Sequence, residues 1–307
     1  MNIAAAVVNC TRISAVHPGG FPIGRTFILT LVALVAFASN SLLCRLALGH
    51  HLIDPAAFTG IRIASGALVL ALLAWIERNR RRGVTATARA LTRAGWRSGL
   101  LLFAYAIAFS FAYVTLTAAT GALILFAAVQ ATIILGAIGS GERLRWTEWC
   151  GLGVAMAGLV YLTLPGLSAP PAGGCALMLG AGVAWGLYTL RGRGSTAPLR
   201  ETSRNFLCAA PLALAAAVIT RGHLHVSPAG IAYAVASGMV ASGLGYVVWY
   251  AALRGLTVAR AATVQLAVPV IAALGAVAFL SEHVGVRLMV AAGLILGGIG
   301  LAVVPRR

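Results

Sequence analysis

The chain has 307 residues, 60% of them hydrophobic and only 9% charged, and 23 basic residues against six acids give a formal net charge of +17. A soluble domain carries about 25% charged residues and a disordered chain is poor in apolar ones, so both classes are excluded and a polytopic membrane protein remains. Every basic residue is Arg, and because such a charge could also mark a nucleic-acid binder, the placement of the arginines has to decide.

A helix crossing about 30 Å of hydrocarbon needs about 20 mostly apolar residues. Residues 1–25 are expected to form a cytoplasmic tail. The run Ile3–Val8 is too short for a cleaved signal peptide and is followed by Arg12 and the turn Pro18-Gly19-Gly20, so the first span would remain as an uncleaved anchor. Ten spans are expected, at 26–48, 57–76, 97–115, 118–138, 147–165, 172–190, 204–221, 229–251, 260–280 and 286–304.

Span one carries the polar set Ser39, Asn40 and Ser41, and ends near Arg45, which reads as a flank residue with its head at the interface. His50, His51 and Asp54 follow in a short loop with no further ligand type nearby, so a solvated loop and no metal site are expected. Arg62 is the one charge well inside a span. Either it snorkels to the outer interface, or it faces a cavity and holds a substrate carboxylate. Span three supplies Tyr105 and Ser110, span four Gln130 and Thr132, and span six Trp185 and Tyr188. Spans eight and nine add Ser237, Ser242, Tyr246, Trp249, Tyr250 and Gln265, with Pro269 placed to bend span nine and free a backbone carbonyl. Polar groups in hydrocarbon turn toward the protein interior. Asn40, Arg62, Gln130, Trp185, Tyr188, Gln265 and Pro269 are therefore the candidates for lining a substrate cavity. Tyr113, Trp249 and Tyr250 lie near span ends and read alternatively as interfacial belt residues. In the Gly-rich span ten, Gly293, Gly297, Gly298 and Gly300 permit close helix contact, within a protomer or in a homodimer. The five cysteines are scattered packing residues rather than a disulfide or zinc pattern.

With the N-terminus inside, 19 of the 23 arginines fall on the cytoplasmic side, while only Arg45, Arg221 and Arg287 fall outside. This asymmetry expects both termini in the cytoplasm. It also explains the charge as topology and attraction to the anionic lipid bilayer, so no nucleic-acid partner is expected.

Shifting the chain by 140 residues aligns Leu116 with Leu256, Glu142 with Glu282, Gly153 with Gly293, Gly158 with Gly298 and Pro165 with Pro305. Two copies of five spans each, over 26–165 and 172–305, must have inverted topology because five is odd. Inverted repeats with a site at their interface are a common transporter plan.

The stretch Thr120–Pro165 with Gly141-Glu142-Arg143-Leu144, the pair Pro269 and Glu282, and the motif Ala184–Tyr188 resemble the paired EamA domains of the drug/metabolite transporter superfamily, in its ten-helix branch. The resemblance implies a secondary transporter of a small metabolite, with amino acids or their analogues favoured and export the common direction. One departure is Val129, which stands where a first-copy counterpart of Pro269 would be. The small four-helix multidrug members carry a Glu in their first helix, which span one lacks. All six acids lie in connections or at span ends, so no proton relay of the usual kind is expected. Glu142 and Glu282 read as turn and capping residues or as gating groups. No catalytic residue and no cofactor are expected; an intramembrane enzyme or a channel are the alternative functions.

Overall fold

In hydrocarbon a backbone N–H or C=O has no water to bond, so apolar segments close their hydrogen bonds internally as helices. The computed structural model of the chain describes residues 23–80, 93–139, 146–164, 169–192, 195, 197–220, 225–256, 261 and 264–303. Ten helices run through them: α1 (Ile23–Gly49), α2 (Pro55–Arg80), α3 (Arg93–Thr115), α4 (Ala118–Gly139) and α5 (Trp146–Thr163). The second five are α6 (Ala172–Gly192), α7 (Pro198–Ile219), α8 (Pro228–Leu253), α9 (Ala267–Leu280) and α10 (Val286–Val303). Seven are long and apolar enough to cross a bilayer, and shorter apolar helices lie within α5, α9 and α10. The expected all-α, ten-helix membrane fold is therefore what the chain adopts.

Two helices depart from regularity. Residues 264–265 are helical, Leu266 is a turn, and α9 proper starts at Ala267. Pro269 accounts for the break, since it lacks an N–H and its ring crowds the Gln265 carbonyl four residues back. In α8 the middle segment Ser237–Leu244 winds as a π-helix between two α-helical ends.

Every helix of the first five makes its main contacts with the second five. Helix α2 packs on α7 and α8, α3 on α6 and α7, α4 on α6 and α9, and α1 on α8 and α9. The Gly-rich pair α5 and α10 pack on each other, where a Cβ on Gly158 would meet Leu294 and Ile295, and one on Gly298 would meet Gly151 and Ala155. Close contact is thus made within the chain by Gly158 and Gly298. Gly293, Gly297 and Gly300, expected to share in it, face open space instead.

At one end Ala118 and Ala119 of α4 pack with Ala276 of α9, and further along Ala122 packs with Val268 and Ala272. Beyond that point α4 lies on α6, with Gly182 against Ala128 and Gly186 against Thr132. Ala261, ahead of α9, packs with Trp249 and Ala252 of α8 and Ala33 of α1. Helices α4 and α9 therefore meet near the Glu282 end.

The outside of the bundle is apolar, with Phe27, Ile28, Leu31, Val32 and Val35 of α1 all exposed. Four of the six tryptophans, Trp75, Trp96, Trp146 and Trp149, are also exposed, and all lie near the Arg191 end in the manner of an interfacial belt. Tyr113 and Trp249, weighed as belt residues, are buried, at 0% and 7% exposure. Each lies among aromatic neighbours, Tyr113 edge-on to Phe109 and Trp249 edge-on to Phe37.

Candidate substrate site

The loop before α2 fixes where Arg62 sits. Asp54 accepts from the N–H groups of Ala56 and Ala57 at 2.9 and 3.2 Å, an N-cap with Pro55 in the first turn where its missing N–H costs nothing. The same loop is stitched to the start of α8: Asp54 N–H donates to His225 at 2.8 Å and Ser227 N–H to Leu52 at 2.9 Å. Asp54 is thus a structural cap, and among the described residues no group of His, Cys, Asp and Glu could hold a metal.

Arg62 lies seven residues into α2, about 10 Å along its axis. Only 3% of it is exposed, so the snorkelling reading is overturned. The head turns inward, where it has its partners. Nη2 donates to the Tyr105 hydroxyl at 2.9 Å and Nε to Ser242 Oγ at 3.4 Å. The guanidinium carbon lies 5.2 Å from the Tyr105 ring centre and 5.1 Å from that of Phe109. Nη1 is buried and has no hydrogen-bond partner.

Asn40 of α1 completes the group. Its Nδ2 donates to the Tyr105 hydroxyl at 3.3 Å, and its Oδ1 accepts from Ser237 Oγ at 2.6 Å. The π-helical turn explains how α8 offers both serines. Residues five apart stack on one face of a π-helix but are far apart around an α-helix, so Ser237 and Ser242 can both face α1 and α2. A Cβ on Gly238 would collide with the Arg62 carbonyl and with Ser65 Oγ. Backbone meets backbone here, and only glycine fits.

From Tyr105 an aromatic wall leads toward the Arg191 end. Tyr105 lies 4.8 Å from Trp185, and Trp185 stacks on Tyr188 at 5.2 Å and on Tyr246 at 5.4 Å. Trp185 on α6 thus meets Tyr246 on α8. Trp185 is the half-buried member, while Tyr105, Tyr188 and Tyr246 are buried. Asn205 of α7, 8% exposed, donates from Nδ2 to the Tyr188 hydroxyl at 3.2 Å, and its Oδ1 is buried without a partner.

At the Glu282 end a second polar cluster joins the two repeats. Glu282 pairs with Arg45 at 3.3 Å and accepts from the Ala118 N–H at 2.9 and 3.2 Å. Arg45 also donates to the carbonyls of Tyr113 and Val114, both at 3.0 Å. Glu282 was expected to cap the span that follows it. It caps α4 in the other repeat instead, because Ser281 turns the chain with a left-handed φ of 53° and the first residue of α4 lies beside the end of α9. Arg45 is likewise no snorkelling flank residue but holds the carbonyls that end α3, which lack intrahelical partners.

Of the expected cavity residues, the structure gathers Asn40, Arg62, Trp185 and Tyr188 into one contiguous set. Gln130 lies elsewhere. It is 4% exposed and shares with Ala127, Ala131 and Ile134 the face of α4 lining a small cleft against α5 and Ile299. Gln265 and Pro269 stand at the distorted start of α9, with Val264 and Val268 packed on Leu34 and Ala38 of α1. Among the described residues neither bonds to the Arg62 group. Glu142 lies outside the described residues. Asn205 is not among the expected cavity residues, although it falls at the second position of the expected span 204–221. A shift of 143 residues, rather than 140, would have set it against Arg62.

Both halves of the chain match one family model, described as the EamA-like transporter family, over residues 24–164 and 172–304. The chain belongs to that family. Membership places this EamA-like chain in a family of multi-pass membrane transporters. It is 50% identical over 285 residues to an uncharacterized protein of Pseudomonas aeruginosa, covering 93% of this chain and 96% of that one. It is 28% identical over 188 residues to a probable terminal-alkyne amino-acid exporter of Streptantibioticus cattleyicolor, covering 58% of this chain and 62% of that one. A solved crystal structure, 21% identical, shares the fold with a TM-score of 0.60 over 89% of this chain and 95% of that one.

Proposed function

We propose that the chain is a secondary carrier that exports a small carboxylate-bearing metabolite, an amino acid or analogue, with Arg62 holding the carboxylate. The observation that carries this reading is the unpartnered Nη1 of a buried Arg62. A guanidinium has five N–H donors and no acceptor, and leaving one buried and unsatisfied is costly. A carboxylate is the complementary group, able to take Nη1 together with a neighbouring N–H as a bidentate pair. The likeness to a probable amino-acid exporter of Streptantibioticus supports an amino-acid cargo and the outward direction.

The arginine distribution supports cytoplasmic termini, with the Glu282 end outward. On that orientation the Arg45–Glu282–Ala118 cluster holds the outer side closed, and Trp185 and Tyr246 lie on the cytoplasmic side of Arg62. Alternating access then requires the outer cluster to part and the inner side to close around a site that stays between them.

The test is a metabolite panel screened by thermal shift on detergent-solubilised protein. An amino acid or related acid should raise the melting temperature in a concentration-dependent way, and Arg62→Ala should remove that shift. A variant that keeps wild-type affinity for the acid would overturn the carboxylate anchor.

A further inference from the structure

Helices α2 and α7 begin alike. Pro55, Thr59 and Arg62 of α2 correspond at a constant shift of 143 residues to Pro198, Thr202 and Asn205 of α7. The likeness extends to contacts. Thr59 bonds a hydroxyl of the neighbouring α3, Ser110, at 2.8 Å, and Thr202 bonds the Tyr250 hydroxyl of α8 at 3.1 Å. Arg62 donates to the hydroxyl of Tyr105 on α3 and Asn205 to that of Tyr188 on α6, so each bonds a tyrosine, though on helices that do not correspond between the repeats. Each is more than nine-tenths buried, and each keeps one side-chain atom with no partner.

Because the repeats are inverted, each residue lies about 10 Å inside an opposite end of the bundle. The rings of Tyr105, Trp185 and Tyr188 link them in an unbroken series of contacts. One half of this pseudo-symmetric pair is a cation and the other a neutral amide. A ligand complementary to both has a carboxylate at one end, a neutral hydrogen-bonding group at the other, and a flat body between them.

We infer that Asn205 is a second substrate contact, repeat-equivalent to Arg62, and that the cargo is an unsaturated or aromatic acid whose far end carries a hydroxyl or similar group. The inference rests on Arg62 holding the carboxylate. A hydroxyl suits the amide because it can both donate and accept, and the planar body stacks on the wall that Trp185 exposes. The bond from Asn205 to Tyr188 also orients the ring against which the ligand lies.

The test compares L-tyrosine with L-phenylalanine, which differ only in the distal hydroxyl, by equilibrium binding to the purified full chain. Wild-type protein should prefer L-tyrosine by about tenfold, in line with one hydrogen bond made by an otherwise unsatisfied group. Asn205→Ala should bring the ratio close to one while phenylalanine binding persists. If that variant is not monodisperse, Asn205→Ser, too short to reach the ligand, reads the same ratio. Arg62→Gln should weaken both ligands together. An unchanged tyrosine preference in the Asn205 variants overturns the second contact alone. Undiminished binding in Arg62→Gln overturns the carboxylate anchor on which it rests. Failure of wild-type protein to bind either acid, or to distinguish them, overturns the assigned class of cargo.

Discussion

Arg62 is a buried charge and Glu282 a part-buried one of opposite sign, and they are satisfied to different degrees. Glu282 accepts from the Ala118 N–H and pairs with Arg45, whose Nη1 takes two backbone carbonyls. That cluster stands complete without a ligand. Arg62 has two side-chain partners and one vacant nitrogen. A complete cluster suits a closure and an incomplete one suits a site. If the outer closure depends on Glu282, then Glu282→Gln should loosen it, since a charge-assisted hydrogen bond is worth about 1.5–3 kcal/mol. Cys44, fully buried on α1 next to Arg45, is the natural reporter. In a variant retaining Cys44 as its sole cysteine, Glu282→Gln should raise the rate of labelling by an outside, membrane-impermeant maleimide roughly tenfold. An unchanged rate would make Glu282 a static cap. From the sequence Arg62 was visible as a charge in an apolar span, but its direction was not, because a long side chain can leave the membrane as easily as turn inward. Glu282 was visible as a capping residue, and only the fold shows that the helix it caps belongs to the other repeat.

At the scale of the element, the decisive feature is the π-helical middle of α8. A sequence of small and apolar residues, Ser-Gly-Met-Val-Ala-Ser-Gly-Leu, reads equally well as a plain α-helix. No local propensity distinguishes one winding from the other, because the extra residue per turn is stabilised by what the helix packs on. Here α2 lies so near that Gly238 touches the Arg62 backbone, and both serines are drawn toward the site. Gly238→Ala therefore introduces a methyl group where there is no room, and should lower stability by about 1–3 kcal/mol, read as a fall in melting temperature. It should also weaken ligand binding, since the backbone that must shift carries Arg62. Alanine at Gly293, which faces open space, should leave both unchanged and is the control. Pro269 behaved as its chemistry requires: a residue without an N–H interrupts α9 at Leu266, three positions earlier. Gln130 shows the limit of reading a span by composition. Its depth was legible, but the face of α4 it occupies depends on which neighbours α4 chooses.

At the scale of the whole molecule, the two repeats are joined by packing rather than by one linker contact. Helices α1 to α5 each find their main partners among α6 to α10, so the site at their junction is built from both copies. Duplication, helix count and membrane class were legible because apolar length and repeated Gly, Glu and Pro positions survive in the sequence. The correspondence of Arg62 with Asn205 was hidden, because the two residues differ in type and their register is three residues off the one that aligns Glu142 with Glu282. A polar cluster that ties the two repeats at the Glu282 end suits a closure on one side of an alternating-access cycle. The most direct test is counterflow of radiolabelled L-tyrosine in proteoliposomes containing wild-type protein or Arg62→Gln. The account predicts saturable uptake, stimulated by unlabelled tyrosine inside the vesicle and reduced to the level of empty liposomes by Arg62→Gln; saturable, stimulated uptake that persists undiminished in Arg62→Gln would contradict it.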